Sequence, residues 1–422
     1  MFPRKNRVAR LVEQLRTPDE AVQHEAIEAL ESLSNSRITA QEARTALEAA
    51  RERFPHPEAQ ELLLQIAYES PDPDFIPIIE RDFLHYSPDA RSWALRTLAA
   101  IGMEDAVRLL AMLLTRHAED IEELSLLELE KQPQHATTLF PTLLAVLARE
   151  GASQHHFEIA RLCLEYLRQG ALASEDIRDA APNLIACYDS LTDELARYQS
   201  PDKIHAIWDD EDYLWARSLA CLLLDLMGYV DTPEVRQRLN NALEYIDARP
   251  LLFATTSLVQ LGAPVPPGKL HAVAANAETR RWLFDHLQSL NRLELYPQAF
   301  ASQAALAESE MVDWLMFPTE LGCPPDEIEL VAVYDIETEE GLAEAYIFRF
   351  RMEDEPWEVG LAGPYLKAEQ PAAFGMGATF SRFEKWAEYT LDEHVARILE
   401  LTGESDWRIV GKRVLVEEAY IK

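Results

Sequence analysis

The stretch PDARSWALRTLAAIG, residues Pro88 to Gly102, decides the fold of this chain. Its apolar residues recur at i, i+4, i+8 and i+11, which is one face of an α-helix. Ser87 stands where a helix N-cap belongs, Pro88 suits the first helical position, and Gly102 suits a left-handed C-cap. The stretch therefore predicts one amphipathic helix with both ends defined. The residues of its apolar face are Ala90, Ala94, Leu98 and Ile101.

The same pattern recurs along the chain. The first positions of two copies, Val22 and Ala90, are 68 residues apart, and those of Ala216 and Pro250 are 34 apart. A period of about 30 to 35 residues with two helices per unit is typical of an α-solenoid. The further copies are Val22-Ala26-Leu30-Leu33, Ala216-Ala220-Leu224-Met227, Val235-Leu239-Leu243-Ile246, Pro250-Ala254-Leu258-Leu261 and Thr279-Leu283-Leu287-Leu290.

Helix starts and a recurrent arginine support this interpretation. Thr17, Ser87 and Thr232 each precede a proline and an acid, so each is predicted to be an N-cap, and Glu20 is predicted to complete a capping box with Thr17. An arginine follows the first position in four copies. We expect it to join successive loops through acids such as Asp89. These arginines are Arg91, Arg217, Arg236 and Arg280.

The repeated positions resemble HEAT repeats, especially the short HEAT-like repeats of bilin-lyase-like proteins. The resemblance is clearest at 17–34, 88–114 and 211–290, and the segment between 117 and 205 departs from the pattern. It implies a HEAT-like α-solenoid over residues 1–305 that serves as a protein-interaction scaffold. The relatives also include enzymes, the bilin lyases and alkylpurine DNA glycosylases, so an enzyme remains an alternative.

After about residue 310 the apolar period changes from helical to alternating, which predicts strands. The strands in EIELVAVYDI and EAYIFRFRM are joined by the turn at 337–341, and further strands are expected from Trp357 and across 414–420. A helix after Thr390, capped by Glu393, is expected to cover the apolar face of the sheet. The predicted face consists of Ile328, Leu330, Ala332, Tyr334, Tyr346, Phe348, Phe350 and Met352.

The predicted fold class is therefore mainly α, with a HEAT-like α-solenoid followed by a small α+β domain with an antiparallel sheet. The domain covers residues 327–422, and 306–326 form a linker rich in both turn formers and apolar residues. We expect this linker to pack the sheet onto the last solenoid helices. An exposed apolar patch that recruits a partner is the alternative.

The charge of the chain restricts its partners. With 39 Lys and Arg against 73 Asp and Glu, the net charge is −34. Nucleic acids and anionic membranes need clustered cations, so we expect neither as a partner, and the charge argues against a DNA glycosylase. The negative charge favours a basic protein partner. The alternative is that it only makes the surface acidic and highly soluble, as in a bacterial type of protein.

Localisation and chemistry follow from what the sequence contains. Four cysteines without a CxxC pair read as reduced thiols, and the amphipathic N-terminus lacks the apolar core of a signal peptide, so a cytoplasmic protein is expected. His155 and His156 are interpreted as a solvated helix start. We expect no catalytic residue, no cofactor and no metal site. The cysteines are Cys163, Cys187, Cys221 and Cys323.

The sequence favours a non-enzymatic scaffold with an acidic surface that binds a basic protein, in one version as an immunity-type inhibitor of a basic toxin. The alternatives are an enzyme or small-ligand-binding protein of the HEAT-like lyase type, and a solenoid that only positions a recognising α+β domain. Aromatic and acidic side chains together suit recognition of Lys or Arg. The candidate partner-binding residues are Trp208, Asp209, Asp210, Glu211, Asp212, Trp215, Trp314 and Phe317.

Overall fold

The computed structural model describes residues 6–34, 36–179, 181–200, 203–377, 379–402 and 407–416. The predicted mainly α class with a smaller α+β part is confirmed: the chain is mainly α-helical and carries a C-terminal five-stranded antiparallel sheet. The α-helices are α1 (Arg7–Leu15), α2 (Glu20–Ser34), α3 (Ala40–Ala49), α4 (Ala59–Tyr68), α5 (Ile76–Asp82), α6 (Pro88–Ile101), α7 (Glu104–His117), α8 (Leu127–Glu130), α9 (Ala136–Leu147), α10 (His156–Arg168), α11 (Ser174–Arg178), α12 (Ala181–Asp189), α13 (Thr192–Ala196), α14 (Glu211–Met227), α15 (Pro233–Ala242), α16 (Ala248–Gln260), α17 (Pro267–Ala275), α18 (Arg280–Ser289), α19 (Gln303–Leu315) and α20 (Leu391–Thr402). The strands are β1 (Glu327–Thr338), β2 (Gly341–Arg351), β3 (Glu358–Leu366), β4 (Phe380–Arg382) and β5 (Arg408–Val414).

The chain divides into two compact units. The first comprises residues 1–192 and 218–235, and the second comprises 193–217 and 236–422. The division runs through α14, whose first residues belong to the second unit. The sheet therefore shares its unit with helices that the sequence assigns to the repeat array, α16 to α18.

Within the first unit the helices contact near neighbours along the chain. α1 packs on α2 and α3, α2 on α4, α4 on α6, α6 on α7, and α7 on α9. The opening stretch forms α6 as predicted. The Ser87 hydroxyl accepts a hydrogen bond from Ala90 N at 3.3 Å, and Gly102 ends the helix with φ 63°.

The N-cap predicted at Thr17 is wrong. The backbone N–H groups of Ala21 and Val22 donate to Asp19, which therefore caps α2. The Thr17 hydroxyl instead donates to the carbonyl oxygen of Gln14. Both side chains suit a helix end, and the chain uses the one that lies nearer the first helical turn.

The strand order of the sheet is β4-β3-β2-β1-β5, and every neighbouring pair is antiparallel. The hairpin predicted at 337–341 is confirmed, since Thr338 pairs with Gly341 across the turn. The last strand differs from its prediction at 414–420. β5 ends at Val414, and residues 417–420 lie outside the described ranges.

The single apolar face predicted for β1 is wrong because the strand is bulged. The register with β2 shifts between Leu330 and Ala332, which turns the following side chains to the other face. Ile328 and Leu330 therefore pack in one core, while Ala332 and Tyr334 pack in the core on the opposite side.

Helices cover both faces of the sheet. α19, which begins just before the predicted linker, packs Met311 and Leu315 on the face that carries Phe348 and Phe350. α20 covers the other face through Val395 and other residues, so the predicted lid lies on the opposite side from the aromatic residues. Burial of each large apolar side chain contributes about 1.5–3 kcal/mol, which makes α19 part of the core of this unit.

Candidate functional site

A cavity of about 500 Å³ lies within the second unit. Its walls come from the 3₁₀ helix Ile204–Asp209, from the loops that precede α16 and α18, from α19, and from the segment that enters β1. The volume is within the usual range of ligand pockets, which is about 300–1,000 Å³. The lining residues are Ile204, His205, Ile207, Trp208, Asp209, Ile246, Asp247, Ala248, Asn276, Ala277, Glu278, Val312, Cys323, Pro324, Pro325, Asp326, Ile328 and Met352.

Two buried carboxylates of the lining are bound to an arginine behind them. Arg217 Nε donates to Asp247 Oδ2 at 2.7 Å, and Arg217 Nη2 donates to Glu278 Oε1 at 2.6 Å. The Tyr213 hydroxyl also donates to Asp247, at 2.8 Å. Burial would raise the pKa of Asp247, but the charge and hydrogen bonds of Arg217 outweigh it and lower that pKa. Asp247 therefore remains ionised, and Arg217 binds both lining carboxylates.

The ion pairs continue from the starts of α16 and α18 to the last turn of α19. Glu278 Oε1 also accepts from Arg249 Nε at 2.8 Å, and Arg249 Nη2 donates to Asp313 Oδ1 at 3.2 Å. Asp313 is bound in turn by Arg281. We call Arg217, Asp247, Glu278, Arg249, Asp313 and Arg281 the ion-pair ladder.

The recurrent arginines have the structural role that was predicted, although their partners vary. Arg217 binds acids in later loops, whereas Arg91 donates to the carbonyl oxygens of Asp120 at 3.0 Å and Phe83 at 3.4 Å. Arg280 donates to the carbonyl oxygen of Ala305 at 2.9 Å. The bonds to Asp120, Ala305 and Asp247 thus join segments 25–30 residues apart in sequence, whereas the bond to Phe83 spans only 8 residues.

The rim of the cavity is negative. Asp209 and Asp326 are exposed, and none of the described residues donates a hydrogen bond to the Asp209 carboxylate. Cys323 lies near both. Partial burial raises the pKa of the Cys323 thiol, and the charges of Asp326 and Asp209 raise it further. Such a thiol is a weak nucleophile at neutral pH.

The cavity brings together two of the predicted partner-binding residues. Trp208 and Asp209 both line it. The cation expected over the indole is already supplied by the chain, because the Arg217 guanidinium carbon lies 5.0 Å from the centroid of the Trp208 ring. Trp208 therefore contributes apolar wall, and its ring also holds Arg217 toward the carboxylates.

The other predicted acids have different surroundings. Asp210 is a structural residue, since it accepts from the Tyr198 hydroxyl at 2.7 Å and from Tyr213 N at 3.1 Å. Glu211 and Asp212 are exposed at the start of α14 and, with Asp209, line a shallow depression beside the cavity.

The remaining predicted aromatic residues do not line the cavity. Trp215 is 40% exposed on α14. Trp314 is half-buried on α19, where its Nε1 donates to Ser381 Oγ at 3.2 Å and its ring contacts Phe317. Phe317 itself is 53% exposed.

Sequence reasoning missed the acids Asp247, Glu278 and Asp326, together with Cys323. Asp247 and Glu278 occupy loops that enter α16 and α18, about 30 residues apart. An acid that recurs before the helix, at the same period as the arginines, is the sequence signal that could have identified both.

The histidine pair is not solvated, contrary to its interpretation. His155 and His156 are buried in the first unit, and burial lowers the pKa of both. His155 Nε2 bonds the carbonyl oxygen of Ala118 at 3.0 Å, and His156 Nδ1 lies 3.5 Å from the Sγ of Cys187. No group of three potential metal ligands occurs among the residues that the structure describes.

No protein-family model matches the chain, and neither the curated proteins nor the solved structures yield a significant match. No helix in the described ranges is both long enough and apolar enough to cross a membrane.

Proposed function

We propose that this chain is a non-enzymatic protein-interaction scaffold of HEAT-like repeats that binds a basic partner, and that the cavity of the second unit receives this partner. One observation carries the proposal. The described residues that line the cavity include four acids, but no lysine or arginine. The two lining acids that need a counter-charge for burial obtain it from Arg217, behind the wall.

The lining suits a segment with one apolar anchor and flanking cations. Isoleucine, proline and methionine side chains form most of the apolar wall, where an anchor side chain would lose its contact with water. Asp209 and Asp326 lie where cations beside the anchor would meet them. A negative rim accelerates encounter with a basic partner, and the effect weakens with salt. An immunity-type inhibitor of a basic toxin is one version of this function.

A small-ligand-binding function is the second candidate, and the cavity volume of about 500 Å³ favours it. The same lining would take a cationic amphiphile, with its apolar part against the walls and its charge at the rim. The two functions differ in the size of the ligand that is needed for binding. A small-ligand protein is stabilised by alkylammonium ions alone, whereas a scaffold requires the partner's backbone and flanking residues.

The proposal is tested with a defined probe. Twelve-residue peptides are selected from a random display library on the immobilised full chain at low salt, and the affinity of the best peptide is measured by calorimetry. We expect enriched peptides to carry an apolar residue flanked by Lys or Arg. The double variant Asp209→Asn/Asp326→Asn should bind about tenfold more weakly, since each exposed ion pair contributes roughly 0.2–1 kcal/mol.

A matched control separates the rim from the overall charge. Glu339 and Glu340 are exposed acids in the turn between β1 and β2, so Glu339→Gln/Glu340→Gln changes the net charge equally without altering the cavity. Equal affinity of the two double variants would overturn the rim assignment. Enrichment of acidic or uncharged peptides would overturn the basic partner itself.

A further inference from the structure

A groove of about 640 Å³ lies in the first unit, between α1 and α2. Each helix contributes residues that are three and four positions apart, so one stripe of each helix lines the groove. The volume is within the usual range of ligand pockets, which is about 300–1,000 Å³. The lining residues are Asn6, Arg7, Ala9, Arg10, Leu11, Ala29, Ser32 and Leu33.

Half of the lining residues are apolar. Leu11 is 7% exposed, and Ala9, Ala29 and Leu33 are half-buried. Their exposed parts meet water on a concave surface, from which an apolar ligand group would displace that water. The groove therefore favours a ligand with an apolar part.

The charge of the lining is opposite in sign to that of the chain. The described lining residues include two arginines but no aspartate or glutamate, in a chain with a net charge of −34. Arg7 is already paired, since its Nε donates to Glu42 Oε1 at 2.7 Å. Arg10 is exposed, and its side chain has no hydrogen-bond or ion-pair partner among the described residues. Its guanidinium group is therefore free to bind the two oxygens of an anionic head group.

The surroundings of the groove restrict the anion to a small one. Exposed acids occur on the same two helices, at Glu13 on α1 and at Glu28 and Glu31 on α2. These acids repel a polyanion such as an acidic peptide, a nucleic acid or an anionic bilayer. One free cation beside an apolar surface instead matches a ligand with a single anionic head and an apolar chain.

We infer that the groove binds an anionic amphiphile with one alkyl chain, such as an alkyl carboxylate. Arg10 binds the carboxylate, and the alkyl chain lies against Leu11 and Leu33. The groove belongs to the first unit, whereas the cavity belongs to the second, so this inference does not depend on the proposed function.

Calorimetric titration of the full chain with octanoate, nonanoate and decanoate, below the concentrations at which they form micelles, tests the inference. We expect saturable binding of one carboxylate per chain. Its affinity should increase about threefold to fourfold with each added CH₂ group, because each group leaves water. Octanol, which has the alkyl chain of octanoate without the charge, should bind more weakly. Absence of saturable binding, or equal affinity for octanoate and octanol, overturns the inference.

A charge variant with a matched control tests the role of Arg10. We expect Arg10→Gln to bind decanoate about twofold to fivefold more weakly, as for the loss of an exposed ion pair. Arg116 is exposed on α7, outside the groove, and its side chain also has no partner among the described residues. Arg116→Gln changes the net charge equally and should bind decanoate as the native chain does. Equal affinity of the two variants overturns the anion site.

Methyl NMR of ¹³C-labelled alanine locates the ligand in the native chain, so that no variant has to fold. We expect decanoate to shift the signals of Ala9 and Ala29, but not those of Ala248 and Ala277, which line the cavity. Shifts confined to the cavity alanines overturn the groove as the site. Cosedimentation with vesicles of anionic lipid distinguishes a bilayer from a monomeric ligand, and binding to vesicles without binding of decanoate overturns this occupant.

Discussion

Removal of the Arg217 charge is the most informative perturbation, because it leaves a buried carboxylate without its counter-ion. Asp247 is 1% exposed and Arg217 is 5% exposed. Breaking such a pair from one side costs about 3–5 kcal/mol. We therefore expect Arg217→Met to lose about 3–5 kcal/mol of the free energy of unfolding of the second unit. For a unit of about 200 residues that corresponds to a fall in Tm of about 6–20 °C.

The double variant isolates the cause of this loss. In Arg217→Met/Asp247→Asn neither the guanidinium nor the unpaired carboxylate remains, so we expect it to be more stable than Arg217→Met alone. Arg292 provides the control. It pairs with Glu294 at 2.6 Å, but both side chains are largely exposed, so Arg292→Met should change stability by less than about 0.5 kcal/mol.

The pH dependence has a definite sign. The native pKa of Asp247 lies below its ordinary value. The ionised Asp247 therefore stabilises the fold at neutral pH, and this stabilisation is lost as pH falls below about 4. In Arg217→Met burial is left largely unopposed and raises that pKa. The loss of unfolding free energy in Arg217→Met, relative to the native chain, should therefore be largest at neutral pH and become smaller toward pH 4.

The assay is urea unfolding followed by tryptophan fluorescence, together with calorimetry to separate the two units. A loss below about 1 kcal/mol for Arg217→Met, or a double variant no more stable than the single one, would refute the reasoning. Either result would mean that the lining carboxylates are hydrated through the cavity, and that the ladder does not hold the loops before α16 and α18.

Two further predictions concern the cavity and the helix ends. Since Cys163, Cys187 and Cys221 are buried, thiol labelling reports on Cys323; we expect a cationic methanethiosulfonate to react about tenfold faster than an anionic one, and equal rates would contradict the negative rim. Gly102→Ala and Gly262→Ala both place alanine at positive φ, at a cost of about 1 kcal/mol each. At Gly102 the added Cβ would also lie 2.7 Å from the Gln132 Oε1, whereas nothing lies within 4 Å at Gly262, so urea unfolding should show the larger loss for Gly102→Ala.

Local signals predicted the elements well. The N-cap at Ser87, the C-cap at Gly102 and the hairpin turn between Thr338 and Gly341 are all present where the sequence predicts them. Each depends on a few adjacent residues whose backbone preferences do not need a tertiary partner. The N-cap predicted at Thr17 is wrong, because neighbouring side chains compete for the same helix end.

The candidate site was only partly predictable. Trp208 and Asp209 were selected for their residue types, but nothing in their own segment indicates Asp326, which comes more than 100 residues later. The interpretation of His155 and His156 as a solvated helix start is wrong. The structure buries them because each finds a carbonyl acceptor, at Ala118 and at Arg149.

The sequence by itself determined that helices form at the repeated positions, where several of them begin or end, that strands follow after about residue 310, and that the chain is strongly acidic, because these follow from periodicity, capping and composition. Only the tertiary structure decided which faces meet. One bulge after Leu330 reverses the side-chain alternation of β1, and α19 rather than α20 covers the aromatic face. Register and burial depend on pairings between distant segments, and a one-residue shift carries no local signature in the chain.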